Sequence, residues 1–117
     1  MPKGYIVAEF DVTGQDDWET YRLKVPQTLA AYGGRFLVWA GASRLIEGEG
    51  KKGSLVVIEF DSPKRAMEWY NSADYQAILP IRLRNATGKV FCVAGVPTAQ
   101  ISVAGVPAAP SGKESET

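Results

Sequence analysis

Apolar residues recur with two different periods along the chain, and the two periods alternate. From Gly4 to Val12 every second residue, beginning with Ile6, is apolar, which predicts a strand with one buried face. From Trp18 to Tyr32 the apolar positions lie three and four residues apart, which predicts a helix, and Gly33 follows as its stop. Because Pro26 falls inside this pattern, we expect a kink or an interruption near Val25.

Two strands joined by a glycine-rich turn are predicted in the middle of the chain. The first covers Arg35–Ala42 and continues through Leu45–Glu47, and the second covers Ser54–Phe60. Since only a short segment separates them, we expect them to pair as an antiparallel hairpin.

Two helix starts and a last strand are predicted in the second half of the chain. Ser62 and Ser72 are both suited to cap a helix, and the first is followed directly by proline. In the helix after Ser72 we expect Leu83 to lie on the apolar face and Pro80 to break the helix. The fourth strand is predicted over Lys89–Val96.

The order of these elements, β-α-β-β-α-β, predicts an α+β fold. It is the pattern of a ferredoxin-like sandwich, in which a four-stranded antiparallel sheet carries helices on one face. The second strand has large apolar residues on both faces, since Phe36 and Val38 alternate with Leu37 and Trp39. Two helices cover only one face of a sheet, so we expect a second copy of the chain to cover the other and form a homodimer.

The predicted domain covers residues 1–96, and residues 97–117 form a tail of different composition. The tail is rich in proline and alanine and ends in a polar segment, which predicts a flexible, solvated extension. The alternative is that Gln100–Val106 adds an edge strand to its own sheet or to the partner's.

Composition narrows the classes of function. Thirteen basic residues balance thirteen acidic ones, so no excess charge favours nucleic acid or an anionic membrane surface. The chain has no histidine, which excludes histidine-based catalysis and His-ligated zinc or haem, and we expect neither a metal nor a cofactor. Cys92 is the single cysteine, and the first residues enter a strand pattern without a signal-peptide core, so we expect a cytoplasmic protein.

Charged residues inside apolar strands are the first candidates for a site. If the strands are in register, Arg35, Trp39 and Glu59 share one face of the sheet. A partly buried Glu59 with a raised pKa would serve as a general base beside Arg35, whereas the competing interpretation is a structural ion pair. The second helical region would supply the other wall of a pocket through Tyr70, Tyr75 and Arg82. Aromatic residues at helical spacing also fill cores, which is the competing interpretation there.

Four segments carry a resemblance to a known family: Tyr32–Val38, Glu47–Gly48, Val56–Phe60 and Trp69–Gln76. Together they resemble the bacterial family called domain of unknown function 1330, over about Gly4 to Val96. The resemblance implies a dimeric α/β barrel, in which two ferredoxin-like sheets close around a shared interior.

The resemblance also implies a set of polar site residues. These are Arg35, Glu59, Tyr70, Ser72, Tyr75 and Arg82. The wider superfamily contains cofactor-free monooxygenases, lactone isomerases and haem enzymes, and the lack of histidine disfavours the haem type. The family itself has no settled function to transfer.

Two hypotheses from different classes remain open. In the first, the dimer binds a small, mostly apolar organic molecule between sheet and helices, where Glu59 would abstract a proton next to a carbonyl and Arg35 or Arg82 would stabilise the enolate. In the second, the dimer is a non-catalytic interaction module whose buried polar groups fix the dimer register and whose tail recruits a partner. The sequence does not decide between binding and catalysis.

Overall fold

The described part of the chain forms a four-stranded antiparallel sheet with three helices packed against one face. The computed structural model describes residues 2–50 and 53–97. The strands are β1 (Gly4–Val12), β2 (Arg35–Trp39), β3 (Ser54–Phe60) and β4 (Ala86–Ala94). The helices are α1 (Trp18–Leu29), extended by a 3-10 turn over Ala30–Tyr32, α2 (Pro63–Tyr70) and α3 (Ala73–Asn85). The order across the sheet is β2-β3-β1-β4, which confirms the predicted ferredoxin-like arrangement.

The two predicted serine caps are confirmed at the starts of α2 and α3. Ser62 Oγ accepts a hydrogen bond from the backbone N–H of Arg65 at 3.1 Å, and Ser72 Oγ accepts one from that of Tyr75 at 3.2 Å. Each bond satisfies a backbone donor that has no partner inside its own helix. α2 and α3 therefore begin at positions that the sequence defines.

Both helices that contain proline remain continuous. α1 runs through Pro26 and α3 runs through Pro80, so neither the interruption considered near Val25 nor the break predicted at Pro80 occurs. Each proline is exposed, and so is the residue four positions earlier, Arg22 or Gln76. The carbonyl that loses its N–H partner therefore lies on the solvent side, where water can satisfy it.

The core lies between the helices and one face of the sheet. Alternate residues of β1 are buried in it, namely Ile6, Ala8 and Phe10. The helices close it with Tyr21, Val25 and Leu29 of α1, Trp69 of α2, and Tyr75 and Ile78 of α3. On α3 the next buried position is Arg82 and not Leu83, which is exposed, so the apolar face predicted for this helix is wrong at Leu83.

A β-bulge in β2 changes the face of the sheet to which Trp39 belongs. The cross-strand pairs are Arg35–Glu59, Phe36–Ile58, Val38–Val57 and Trp39–Val56. Leu37 is therefore the extra residue, and Trp39 lies on the helix side with its ring 4.0 Å from that of Phe36. The prediction that placed Trp39 on the same face as Arg35 and Glu59 is wrong, because it assumed an unbroken period of two.

The ends of β2 and β4 differ from those predicted. β2 ends at Trp39, where Ala40 has a positive φ of 52°, and the predicted continuation through Leu45–Glu47 is loop. β4 begins at Ala86 and includes Gly88, where a Cβ atom would lie 1.9 Å from the carbonyl oxygen of Glu9. Gly88 therefore permits close pairing of β4 with β1 instead of preceding the strand.

The tail predicted as flexible, together with its alternative edge strand at Gln100–Val106, lies outside the described residues, apart from Pro97. Neither interpretation of the tail is tested by the fold. Of the helices in the described ranges, none is long and apolar enough to span a bilayer.

Candidate functional site

A small cavity lies between the sheet and the helices. Its volume is about 50 Å³. The sheet side of its lining is apolar and includes Ala8 and Trp39, and the helix side includes Tyr21, Trp69, Tyr70 and Tyr75. The lining contains no carboxylate, and its polar atoms are hydroxyl and indole groups. Such a lining suits a flat or aliphatic organic molecule that makes few hydrogen bonds.

Two tyrosines of the lining are joined through their hydroxyl groups. Tyr21 Oη and Tyr75 Oη are 2.8 Å apart, and Arg82 Nε donates to Tyr75 Oη at 3.3 Å. Burial is the main cause that raises the pKa of Tyr21, and the interaction with Tyr75 raises it further. Tyr21 therefore stays protonated at physiological pH, and the hydroxyl of this residue is neutral beside the guanidinium cation.

Arg35 and Glu59 lie on the opposite face of the sheet, which carries no helix in the described part of the chain. Arg35 Nε donates to Glu59 Oε1 at 2.7 Å, and Tyr5 Oη donates to Glu59 Oε2 at 2.9 Å. The hydrogen bond from Tyr5 is the largest cause that lowers the pKa of Glu59, and the bond and charge of Arg35 lower it further against the effect of partial burial. The raised pKa predicted for Glu59, which a general base there requires, is therefore wrong.

The structure divides the predicted site residues into three groups. Three of them line the cavity: Trp39, Tyr70 and Tyr75. Arg82 contacts this group through Tyr75, while Ser72 uses its hydroxyl for backbone hydrogen bonds at the start of α3. The third group is the pair of Arg35 and Glu59, which lies on the opposite face of the sheet. The predicted site residues therefore do not line one common pocket.

Tyr21 is the polar cavity residue that sequence reasoning misses. It lies in the apolar stripe of α1, where the helical period assigns it to the core. A buried tyrosine needs a partner for its hydroxyl, and this requirement is the signal that distinguishes Tyr21 from its apolar neighbours in the stripe. The partner, Tyr75, lies far away in sequence and cannot be identified from the stripe alone.

Within residues 2–50 and 53–97, no group of three or more acidic or cysteine side chains is arranged to hold a metal ion. The carboxylate of Glu59 accepts hydrogen bonds from Tyr5 and Arg35 and lies on the other face of the sheet. Apart from the indole N–H groups, the polar side-chain groups of the cavity lining are the hydroxyls of Tyr21, Tyr70 and Tyr75.

The open face, by which we mean the face of the sheet without helices, carries an apolar row across all four strands. The row consists of Val38, Val57, Val7 and Phe91. Polar pairs flank it on both sides, with Tyr5 opposite Glu59 in one row and Glu9 opposite Lys89 in the other. Phe91 is 54% exposed, so the protomer leaves a large apolar side chain in contact with water.

The lowered pKa of Glu59 leads to a prediction for stability in acid. A carboxyl whose pKa is lower in the folded than in the unfolded state stabilises the fold above its ordinary pKa of 4.5, and this contribution is lost as the pH falls through the lowered value. Glu59→Gln should therefore reduce the loss of stability between about pH 6 and about pH 3. Urea unfolding at the two pH values measures this loss in the free energy of unfolding.

Tyr5→Phe is the matched variant, because it removes the hydrogen bond that contributes most to the low pKa of Glu59 while keeping the carboxylate. It should also reduce the dependence of stability on pH, by less than Glu59→Gln. If both variants lose stability in acid as steeply as the unmodified protein, the description of this ion pair is wrong.

The sheet order, the helices on one face and the cavity beneath them define the chain as an α+β protein with a ferredoxin-like fold. Its family follows from the sequence: a family described as "Domain of unknown function (DUF1330)" matches residues 3–96, and the chain belongs to it. This confirms the family that the sequence resembles. A comparison with curated proteins finds no match.

Solved structures support the fold. Two of them are structures of the RPA0582 protein, which is of unknown function and comes from Rhodopseudomonas palustris. The first superposes with a TM-score of 0.64 at 10% sequence identity, and the match covers 82% of this chain and 82% of that one. The other has a TM-score of 0.60 at 14% identity and covers 82% of this chain and 84% of that one. A dabb family protein with a ferredoxin-like fold from Mesorhizobium loti has a TM-score of 0.56 at 14% identity, over 83% of this chain and 98% of that one.

Proposed function

We propose that the protein is a homodimer in which each protomer binds a small, mostly apolar organic molecule in the cavity between its sheet and its helices. The observation that carries this proposal is the aromatic lining of the cavity, which includes Tyr21 and Tyr75, the two residues whose hydroxyl groups are hydrogen-bonded to each other. Apolar walls with a few converging polar groups are typical of sites for small organic ligands.

The size of the cavity limits the ligand. A water molecule needs roughly 10–15 Å³ of such a volume, so about 50 Å³ corresponds to roughly four waters. A ligand that occupies the cavity without moving its walls therefore has about four to six non-hydrogen atoms. Larger molecules would have to displace side chains of the lining, and Trp39, which is exposed, and Tyr70, which is partly buried, are large lining side chains with access to solvent.

The proposal is for binding and not for a carboxylate-driven reaction. Proton abstraction by Glu59 is not supported, because its carboxylate lies on the other face of the sheet and has a lowered pKa. The cavity lining contains no carboxylate that could act as a base instead of Glu59.

We propose a second copy of the chain as the occupant of the open face. The apolar row that ends in Phe91 crosses the whole sheet, and polar pairs lie on both sides of it. In a two-fold pairing the row would meet its own copy, and the flanking Tyr5–Glu59 and Glu9–Lys89 pairs would lie around it as a polar rim. An apolar centre with a polar rim is the usual composition of a stable interface.

Filling the cavity tests the binding proposal. Ala8→Val adds two carbon atoms to the floor of the cavity, and valine suits a strand, so the fold should be retained. We expect the variant to bind 1-butanol at least about fivefold more weakly than the unmodified protein, because little free volume remains. The indole N–H signals of Trp39 and Trp69 in a nitrogen-15 spectrum report binding, since both rings line the cavity.

Ala42→Val is the matched control, because the same change is made in an exposed loop away from the cavity. It should bind 1-butanol like the unmodified protein. The proposal is wrong if 1-butanol shifts neither indole signal in the unmodified protein, or if Ala8→Val binds it with unchanged affinity.

A further inference from the structure

A buried arginine without a carboxylate partner lies behind the cavity. Arg82 is 6% exposed and belongs to the face of α3 that also carries Tyr75 and Ile78. Its guanidinium carbon lies 5.0 Å from the ring centre of Phe10, and Phe10 and Tyr75 both line the cavity. The cation is therefore separated from the cavity by the two side chains that it contacts.

Four other arginines of the described chain have a carboxylate partner, and each of them is more exposed than Arg82. They pair with carboxylates as Arg22–Glu19, Arg35–Glu59, Arg65–Glu68 and Arg84–Asp17. Among the described residues Arg82 has no such partner within 4.0 Å, and its hydrogen bond is the one from Nε to Tyr75 Oη. Arg82 is thus more buried than all four paired arginines and has no carboxylate partner among the described residues.

Neutral neighbours offset only part of the cost of burying this charge. The ring face of Phe10 attracts the cation, and Arg82 lies in the last turn of α3, where the helix dipole is negative. Neither supplies a full negative charge, and the Tyr21 hydroxyl cannot do so, because burial raises its pKa. Buried charges in proteins are normally paired, and an anion near Arg82 would supply the missing negative charge.

We propose that the ligand of the cavity is a short-chain carboxylate, whose anionic group binds at the Tyr21–Tyr75 hydroxyl pair and is neutralised by Arg82. This inference rests on the proposed binding function and specifies its ligand class. The apolar body of the acid would lie against Trp39 and Trp69, and the volume of the cavity limits the acid to about four to six non-hydrogen atoms.

The test compares butyrate with butyramide, which have the same number of non-hydrogen atoms and differ in charge. The unmodified protein should bind butyrate at least about tenfold more tightly than butyramide, measured by titration of the Trp39 and Trp69 indole signals. Arg82→Met keeps an unbranched, largely apolar stem and removes the charge, so it should bind the two compounds within about twofold of each other.

Arg44→Met is the matched control, because Arg44 is exposed in the loop after β2, and it should keep the full preference for butyrate. If Arg82→Met does not fold, Arg82→Lys replaces it, and the shorter side chain should lower the preference. Equal binding of butyrate and butyramide by the unmodified protein, with 1-butanol also bound, would overturn the carboxylate inference and leave the binding function intact. If none of the three compounds binds, both are wrong.

Discussion

Phe91→Glu should convert the proposed homodimer to a monomer. Phe91 is 54% exposed in the protomer and lies in the apolar row of the open face, so the fold does not require it but the proposed interface does. An uncompensated buried charge costs about 3–5 kcal/mol, and the two-fold axis introduces it twice. The dissociation constant of the dimer should rise at least about a hundredfold. Sedimentation equilibrium over a range of protein concentrations measures this dissociation constant.

Leu23→Glu provides the control for this substitution. Leu23 is exposed to a similar extent but lies on α1, on the helix side of the sheet, so the variant should remain dimeric. The proposed interface is wrong if Phe91→Glu stays dimeric at the same concentrations, or if the unmodified protein is itself a monomer.

Phe60→Ala should cause the largest loss of folding stability among single core substitutions. Phe60 is the one large side chain of the described residues with less than 2% exposure, and its ring packs 5.6 Å from that of Trp69. Truncation of a buried phenylalanine to alanine costs about 3–5 kcal/mol, because the lost transfer free energy is added to the cost of the new cavity. Equilibrium unfolding in urea measures the change in the free energy of unfolding.

Ile46→Ala is the comparison, because Ile46 is 88% exposed in the loop after β2 and should change stability by less than about 0.5 kcal/mol. A loss below about 1 kcal/mol for Phe60→Ala would mean that the core is not packed as described.

Local signals in the sequence were sufficient for much of the fold. The alternation along Gly4–Val12 predicts the whole of β1, and Ser62 and Ser72 predict the starts of two helices, since each rule depends on residues close in sequence. The split order of strands and helices then leaves the ferredoxin-like sandwich as the arrangement that buries their apolar faces.

The bulge at Leu37 could not be predicted, because the residues on both sides of it are apolar. When both faces of a strand carry large apolar residues, a slip of one position changes the face of every later side chain without a visible conflict in the pattern. The faces assigned to Arg35 and Phe36, which precede the bulge, are correct, while those of Val38 and Trp39, which follow it, are not.

The candidate site was predictable only in part for the same reason. Arg35 and Glu59 do form a pair, but the sequence does not tell on which face a pair in a two-sided strand lies. On α3, Arg82 and Leu83 are neighbours, and a helical pattern with Leu83 on the apolar face is the simpler interpretation. Burial of Arg82 instead depends on the partners Tyr75 and Phe10, which the fold brings together.

Native mass spectrometry of the freshly purified protein, with Ala8→Val beside it, tests the central claim most directly. We predict the mass of two chains with additional small-molecule mass for the unmodified protein, and a dimer with reduced additional mass for Ala8→Val. The mass of a single chain, or a dimer that never exceeds two chains even after addition of butyrate and 1-butanol, would contradict the proposal.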